Sequence, residues 1–154
     1  MLLGALLMLV AAILVVMGVS RHRRIVAHRN TCEGGALADC VVRGRSLRSR
    51  DAGATTDLRA VSLFRRACDG GHLPGCAELG DMYWNGWGVV RDYGVAAGLY
   101  RRACEAQQAT ACVQLGRMHH AAQGVSRDDT LAVDLFRRAC DLGKLEGCHA
   151  LGGM

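Results

Sequence analysis

Three stretches of the chain carry the same spacing of apolar positions. Ala60, Leu63, Phe64 and Ala67 fall at i, i+3, i+4 and i+7, which puts them on one face of a helix. Ala96, Leu99, Tyr100 and Ala103 repeat that face, and Ala132, Leu135, Phe136 and Ala139 repeat it again. A second helix follows the first of these: Cys76, Leu79, Gly80 and Tyr83 share the spacing, with Tyr83 in the core register. Gly70-Gly71 separates the two helices and suits a helix stop, and Pro74 suits the first turn of the next. Asn85-Gly86 and Gly88 then turn the chain toward the following helix pair.

The pairs recur with a fixed period. Cysteines stand at 32, 40, 68, 76, 104, 112, 140 and 148, in pairs eight apart, each pair 36 residues after the last. Arg-Arg-Ala-Cys recurs at 65–68, 101–104 and 137–140. Leu79, Leu115 and Leu151 align, each followed by Gly80, Gly116 or Gly152, and Arg91-Asp92 aligns with Arg127-Asp128. The copy around Cys32 and Cys40 is degenerate, keeping little beyond Cys-Glu-Gly-Gly and Gly44. Glycine inside a helix costs about 1 kcal/mol against alanine. Its repetition at 80, 116 and 152 predicts backbones in close approach. A lone helix pair cannot bury its apolar face, so the prediction is all-α: an α-solenoid of stacked antiparallel helix pairs.

Ahead of the repeats, residues 2–19 carry no charge or polar side chain, and as a helix they would span about 27 Å. Three readings compete for residues 1–20: an uncleaved membrane anchor, a secretory signal cut after Ser20, and a buried core helix. Residues 21–58 form a basic segment containing the degenerate copy, and 59–154 hold the clear repeats, the last cut short at Met154. That last copy leaves room for about two turns of second helix, so the face made by Leu135, Phe136 and Leu151 is expected to be partly open.

Charge sharpens the picture. Basic residues outnumber acidic ones 19 to 14, yet residues 21–50 alone hold eight Arg against Glu33 and Asp39. The excess is therefore local, and a nucleic-acid-binding face spread over the repeats is excluded. Arg21, Arg23 and Arg24 directly after the apolar run favour a cytoplasmic location for the repeats. The paired cysteines favour an oxidising one, and being regular they are the stronger signal. With aromatics at 5% and a single proline, Pro74, the core must be built from small side chains.

The pattern Ala-x-x-Leu-Phe-x-x-Ala at 60–67, Leu-Gly-x-Met-Tyr at 79–83 and Gly-x-Gly-Val-x-x-Asp at 86–92 resembles the Sel-one-like repeat, a relative of the tetratricopeptide repeat. The paired cysteines make the chain similar to the cysteine-rich subgroup typified by the Helicobacter cysteine-rich proteins. The resemblance covers residues 59–152 well and 23–58 poorly. It implies an exported protein in which intra-repeat disulfides tie the two helices of each pair. It also implies protein-interaction scaffolding for most such repeats, and for the cysteine-rich subgroup penicillin binding and a β-lactamase label.

The spacing is compatible with those disulfides. Eight residues along one helix separate Cα atoms by about 12 Å, whereas a disulfide needs roughly 4.4–6.8 Å. The chain must reverse between the cysteines, as the glycine turn permits. Cys32–Cys40, Cys68–Cys76, Cys104–Cys112 and Cys140–Cys148 are the expected pairs. Free thiols and a metal site are the alternatives. Against metal, no Cys-x-x-Cys occurs, His119-His120 point to different sides of a helix, and His72 and His149 stand singly.

Trp84, Trp87 and His120 are candidate binding residues. Trp84 is expected on the groove face, with His120 in its place one copy later; packing between repeats is the competing reading. The Arg pairs at 65–66, 101–102 and 137–138 could meet an acidic partner or simply face water near helix ends. No catalytic residue, cofactor or metal ligand set is expected. Ser-x-x-Lys is absent, since Lys144 is the only lysine and no serine lies three before it. Phosphate loops and His-Glu-x-x-His are absent too. The leading functional reading is a non-catalytic scaffold that binds a protein or peptide on its concave face. It would lie on the periplasmic or extracellular side of the cell envelope, tethered through residues 2–19. A β-lactamase-like or penicillin-binding protein and a cytoplasmic thiol or metal protein are the alternatives.

Overall fold

A computed structural model describes residue 32, residues 36–48 and residues 53–154. The apolar helix expected over residues 2–19, with its anchor or signal reading, and the run of Arg21, Arg23 and Arg24 lie outside the described residues. Two compact units divide the chain, Met1–Ala36 and Leu37–Met154, and all the described helices belong to the second.

The second unit is built of α1 (Leu37–Leu47), α2 (Ala54–Asp69), α3 (Pro74–Asn85), α4 (Tyr93–Glu105), α5 (Ala109–Ala121), α6 (Asp129–Asp141) and α7 (Leu145–Gly152). Helices α2, α4 and α6 carry the Leu-Phe/Tyr face and are the first helices of successive pairs. Helices α1, α3, α5 and α7 are the second helices, α1 belonging to the degenerate copy. Each first helix packs between the second helix before it and the one after it, and α1 meets α3 as α5 meets α7. The stacked pairs are the solenoid expected from the 36-residue period. No helix among the described residues is long and apolar enough to cross a membrane.

Local chemistry explains where the helices start and stop. Asp92 and Asp128, the acids of the repeated Arg-Asp pair, are the N-caps of α4 and α6. Their carboxylates accept from the Val95 and Leu131 backbone N–H, each at 2.9 Å, satisfying one of the donors a helix start leaves open. Pro74 sits in the first turn of α3, where its missing N–H costs nothing. In the turn from α4 to α5, Gln107 adopts φ 62°, the left-handed conformation that Gly71 and Gly143 occupy in the other copies.

The core follows the first-helix pattern closely. Ala60, Phe64, Ala67, Ala96, Tyr100, Ala103, Ala132, Phe136 and Ala139 are all buried. The helical glycines are explained by rings rather than by backbones. The Phe64 ring lies against Gly44, so closely that a Cβ there would collide with it. A Cβ at Gly80 would stand 2.8 Å from the Tyr100 ring, and one at Gly116 2.7 Å from the Phe136 ring. Each first helix thus sets its aromatic residue on the glycine backbone of the second helix before it. Gly152 departs from the expectation of close approach: nothing lies within 4 Å of its would-be Cβ. Among the described residues no first helix follows α7 to bring a ring there.

Two register expectations are corrected. Tyr83 is only half-buried, and Met82 beside it is fully buried, as Met118 is in the next copy. The unbranched thioether fills the gap between helices, while the Tyr83 hydroxyl stays at the surface, 3.0 Å from Arg65 Nη2. At the C-terminal end, Leu135 and Phe136 are buried after all, and only Leu151 is part-exposed. The α7 stub is long enough to cover the first two.

The disulfides match the expected pairing in the three clear copies. Cys68–Cys76, Cys104–Cys112 and Cys140–Cys148 bridge the end of one helix to the start of the next, with Cα separations of 4.5, 4.7 and 4.7 Å. None of the described cysteines is free, Cys32 and Cys40 included, which removes the free-thiol alternative. Among the described residues no cluster of His, Cys, Asp or Glu is arranged to hold a metal.

One polar network ties α1, α3 and α4 together. Arg45 of α1 and Arg48 just after it pair with Glu78 at 2.6 and 3.0 Å, and Arg48 also approaches Asp81 at 3.7 Å. The buried Tyr100 donates its hydroxyl to Asp81 at 2.7 Å. Burial raises the Asp81 carboxyl above its ordinary 3.8, and burial beside that carboxylate raises the Tyr100 phenol as well. An acid whose pKa is higher folded than unfolded binds its proton more tightly in the native state. Its contribution therefore turns unfavourable as pH rises from the ordinary carboxylate range through the folded value. Asp81→Asn should remove the fall in stability as pH rises above about 4, at little cost at neutrality because Tyr100 can still donate. Tyr100→Phe should instead cost about 1–3 kcal/mol by removing the closest donor to the carboxylate. Urea unfolding of both variants across that range checks the pair. A wild-type slope retained in Asp81→Asn would show that Asp81 is not its source.

Candidate binding face between α3 and α5

Trp84 lies in the last turn of α3, and its indole packs against Tyr93 at the start of α4, with ring centroids 4.8 Å apart and planes tilted by 59°. Across from it, α5 presents Gln114, Arg117, His120 and Ala121, residues spaced along one side of the helix. Together with Gln123 in the following loop they line a pocket of about 360 Å³. Two of the three candidate binding residues, Trp84 and His120, are therefore brought together. The third is not. Trp87 is 41% exposed and lies apart, with the Arg48 guanidinium over its ring at 5.3 Å.

The polar side of the pocket has a defined charge arrangement. His120 is exposed, and its Nδ1 is 2.8 Å from Asp129 of α6, which also pairs with Arg127. Hydrogen bonds from Arg127 and His120 hold the Asp129 carboxyl below its ordinary range, Arg127 contributing more. Asp129 therefore remains ionised and orients the imidazole across the rim. Arg117 is exposed and bonds only to the Gln114 amide oxygen, at 3.2 Å. Among the described residues no carboxylate is in ion-pair contact with it; Glu146 of α7 acts on it only through space.

His119 behaves differently from its neighbour, as adjacent positions on a helix should. It is only 6% exposed, its Nδ1 is 3.1 Å from the Ser126 carbonyl oxygen, and its Nε2 has no partner. The Arg pairs divide their roles. Arg102 and Arg138 reach back to the carbonyls of Cys68 and Glu105 at the C-terminal ends of α2 and α4, where positive charge is favoured. Arg101 and Arg137 face water, the latter paired with Asp134. Ser46 and Ser62 donate their hydroxyls to backbone carbonyls one turn back. Gln114 and Arg117 were not singled out from sequence, although their spacing from His120 along one helix face was the available signal.

The Sel1 repeat family matches residues 57–72, 73–107 and 109–144, more than half of the chain. The chain belongs to the Sel1 repeat family. The two longer matches begin at α3 and at α5, so each family unit runs from a second helix through the next first helix. Read in that phase, Cys68–Cys76 and Cys104–Cys112 each join one Sel1 unit to the next. Cysteine rich protein B of Helicobacter pylori has a similar structure: TM-score 0.64 and 30% identity, over 75% of this chain and 88% of that one. A protective antigen of uropathogenic Escherichia coli displaying an SLR fold is also similar, at TM-score 0.69 and 25% identity over 79% of this chain. This Sel1 chain spans only 26% of that antigen's length. A Sel1 repeat protein from Oxalobacter formigenes shares the fold, at TM-score 0.69 and 21% identity, over 76% of this chain and 47% of that one. No curated protein matches the chain.

Proposed function

We propose that this Sel1 chain is a non-catalytic scaffold that receives a protein or peptide partner on the face between α3 and α5. The pocket shared by Trp84 and His120 carries this reading: equivalent positions of two successive copies are juxtaposed there, with an aromatic wall and a polar rim. Wide aromatic surface flanked by hydrogen-bonding groups is the composition of protein-binding sites. The bridged cysteines support residence in an oxidising, extracytoplasmic compartment. Tethering to the cell envelope through residues 2–19 is part of the same proposal and rests on their composition alone.

A photo-crosslinking residue at Ala121, which is exposed and lines the pocket, tests the scaffold reading directly. Illumination in the native cell envelope should yield a discrete polypeptide adduct. The same group at Ser62, exposed on α2, should not. Equal labelling from both positions, or none from Ala121, would overturn the assignment.

A further inference from the structure

The chemistry of the pocket goes further than its position. Among the described residues its lining includes two basic side chains and no acid. Asp129 at the rim is already engaged by Arg127 and His120, so it does not neutralise Arg117. Among the described residues Arg117 hydrogen-bonds only to the neutral Gln114 amide; Glu146, the carboxylate that acts on it through space, makes its ion pair with Lys144 at 3.2 Å. A guanidinium so placed offers a planar fork of donors suited to a carboxylate. The Asp129 carboxylate takes up the Nδ1 side of His120, which leaves Nε2 as the ring's second polar atom. Trp84, fixed by Tyr93, supplies an apolar wall across from these groups. Gln114 and Gln123 add amides able to meet a peptide backbone.

We infer that the Trp84–Arg117–His120 pocket recognises an acidic side chain of a partner polypeptide, flanked by an apolar residue that packs on Trp84. The inference rests on the scaffold reading and specifies what that scaffold selects. The carboxylate lies against Arg117, and the neighbouring apolar group covers the indole. A volume of about 360 Å³ admits one or two side chains rather than a folded domain, so the recognised element is a short segment.

The test uses the full chain with its disulfides intact. Arrays of capped, amidated octapeptides are compared in matched sets, one position fixed as Asp or Glu, or as Asn or Gln. The wild type should retain the acidic sets about tenfold better or more, with the preference weakening in salt. Arg117→Gln should abolish the preference. Arg101→Gln, exposed on α4 outside the pocket, should keep it. Equal retention of acidic and amide sets, or a preference unchanged by Arg117→Gln, overturns carboxylate recognition while leaving a peptide-binding face in place. Retention of no peptide overturns both readings. Indole-3-acetate is the remaining arm: binding of this small carboxylate through Arg117 without any acidic-peptide preference would make the pocket a metabolite site and overturn the inference.

Discussion

Reduction of the disulfides should unfold most of this protein at ordinary temperature. Each bridge closes a loop of eight residues, and the chain-entropy model gives about 2.5 kcal/mol for a loop that short. The three described bridges together contribute about 7 kcal/mol, against a total of about 5–15 kcal/mol for a domain of ordinary stability. The core has little to set against that loss. Much of it is alanine and cysteine, with one large ring per copy. A reductant should therefore lower the thermal midpoint by more than about 20 °C, read by circular dichroism, with thiol counting to confirm reduction. Position matters as well. Replacing Cys104 and Cys112 together by alanine should cost about 2.5 kcal/mol globally, because both sulfurs lie in the middle of the stack. Replacing Cys140 and Cys148 should chiefly release α7, since an eight-residue helix is not stable by itself. Hydrogen exchange separates the two cases. A midpoint that moves by less than about 5 °C on full reduction would mean that the helix interfaces, not the bridges, hold the fold.

Removing a ring from its glycine seat should be nearly as damaging. Phe136→Ala opens a cavity between α5 and α6 and should cost about 3–5 kcal/mol. Gly116→Ala approaches the same interface from the other side. Its Cβ would stand 2.7 Å from the Phe136 ring, and the overpacking should cost about 1–3 kcal/mol. The informative control is Gly152→Ala. That glycine occupies the same place in the repeat, yet its Cβ would meet nothing, so the substitution should be neutral or slightly stabilising. Denaturant unfolding of the three variants decides the matter. Equal effects at 116 and 152 would show that glycine serves the helix itself rather than the ring facing it.

The residue pattern by itself determined the architecture because its determinants are local and repeated. Apolar spacing fixes a helical face within one turn or two, and four equivalent cysteine pairs allow one pairing that treats them alike. Cys68–Cys76, Cys104–Cys112 and Cys140–Cys148 were legible for that reason, and so were the buried positions of α2, α4 and α6. The Arg-Asp repeat was visible too, though its role as an N-cap became evident only with the α4 and α6 starts in place. Membership of the Sel1 family follows the same repeated residues.

Tertiary structure alone decided what depends on neighbouring helices. One step along a helix turns a side chain by about 100°, so both Met82 and Tyr83 border the apolar stripe of α3. The gap left by adjoining helices selected methionine for the core and left the Tyr83 hydroxyl in water. Glycine spacing announced a close approach, but not that a ring from twenty residues onward would occupy it, or that Gly152 would face nothing. Trp84 and His120 sit 36 residues apart, and only the stacking of one copy on the next makes them walls of one pocket. Trp87, three residues beyond Trp84, was carried away toward Arg48 by the turn at Gly86 and Gly88. Arg117 acquired its meaning last, because an exposed arginine is ordinary until the structure shows it beside Trp84 and His120 with no carboxylate in ion-pair contact among the described residues.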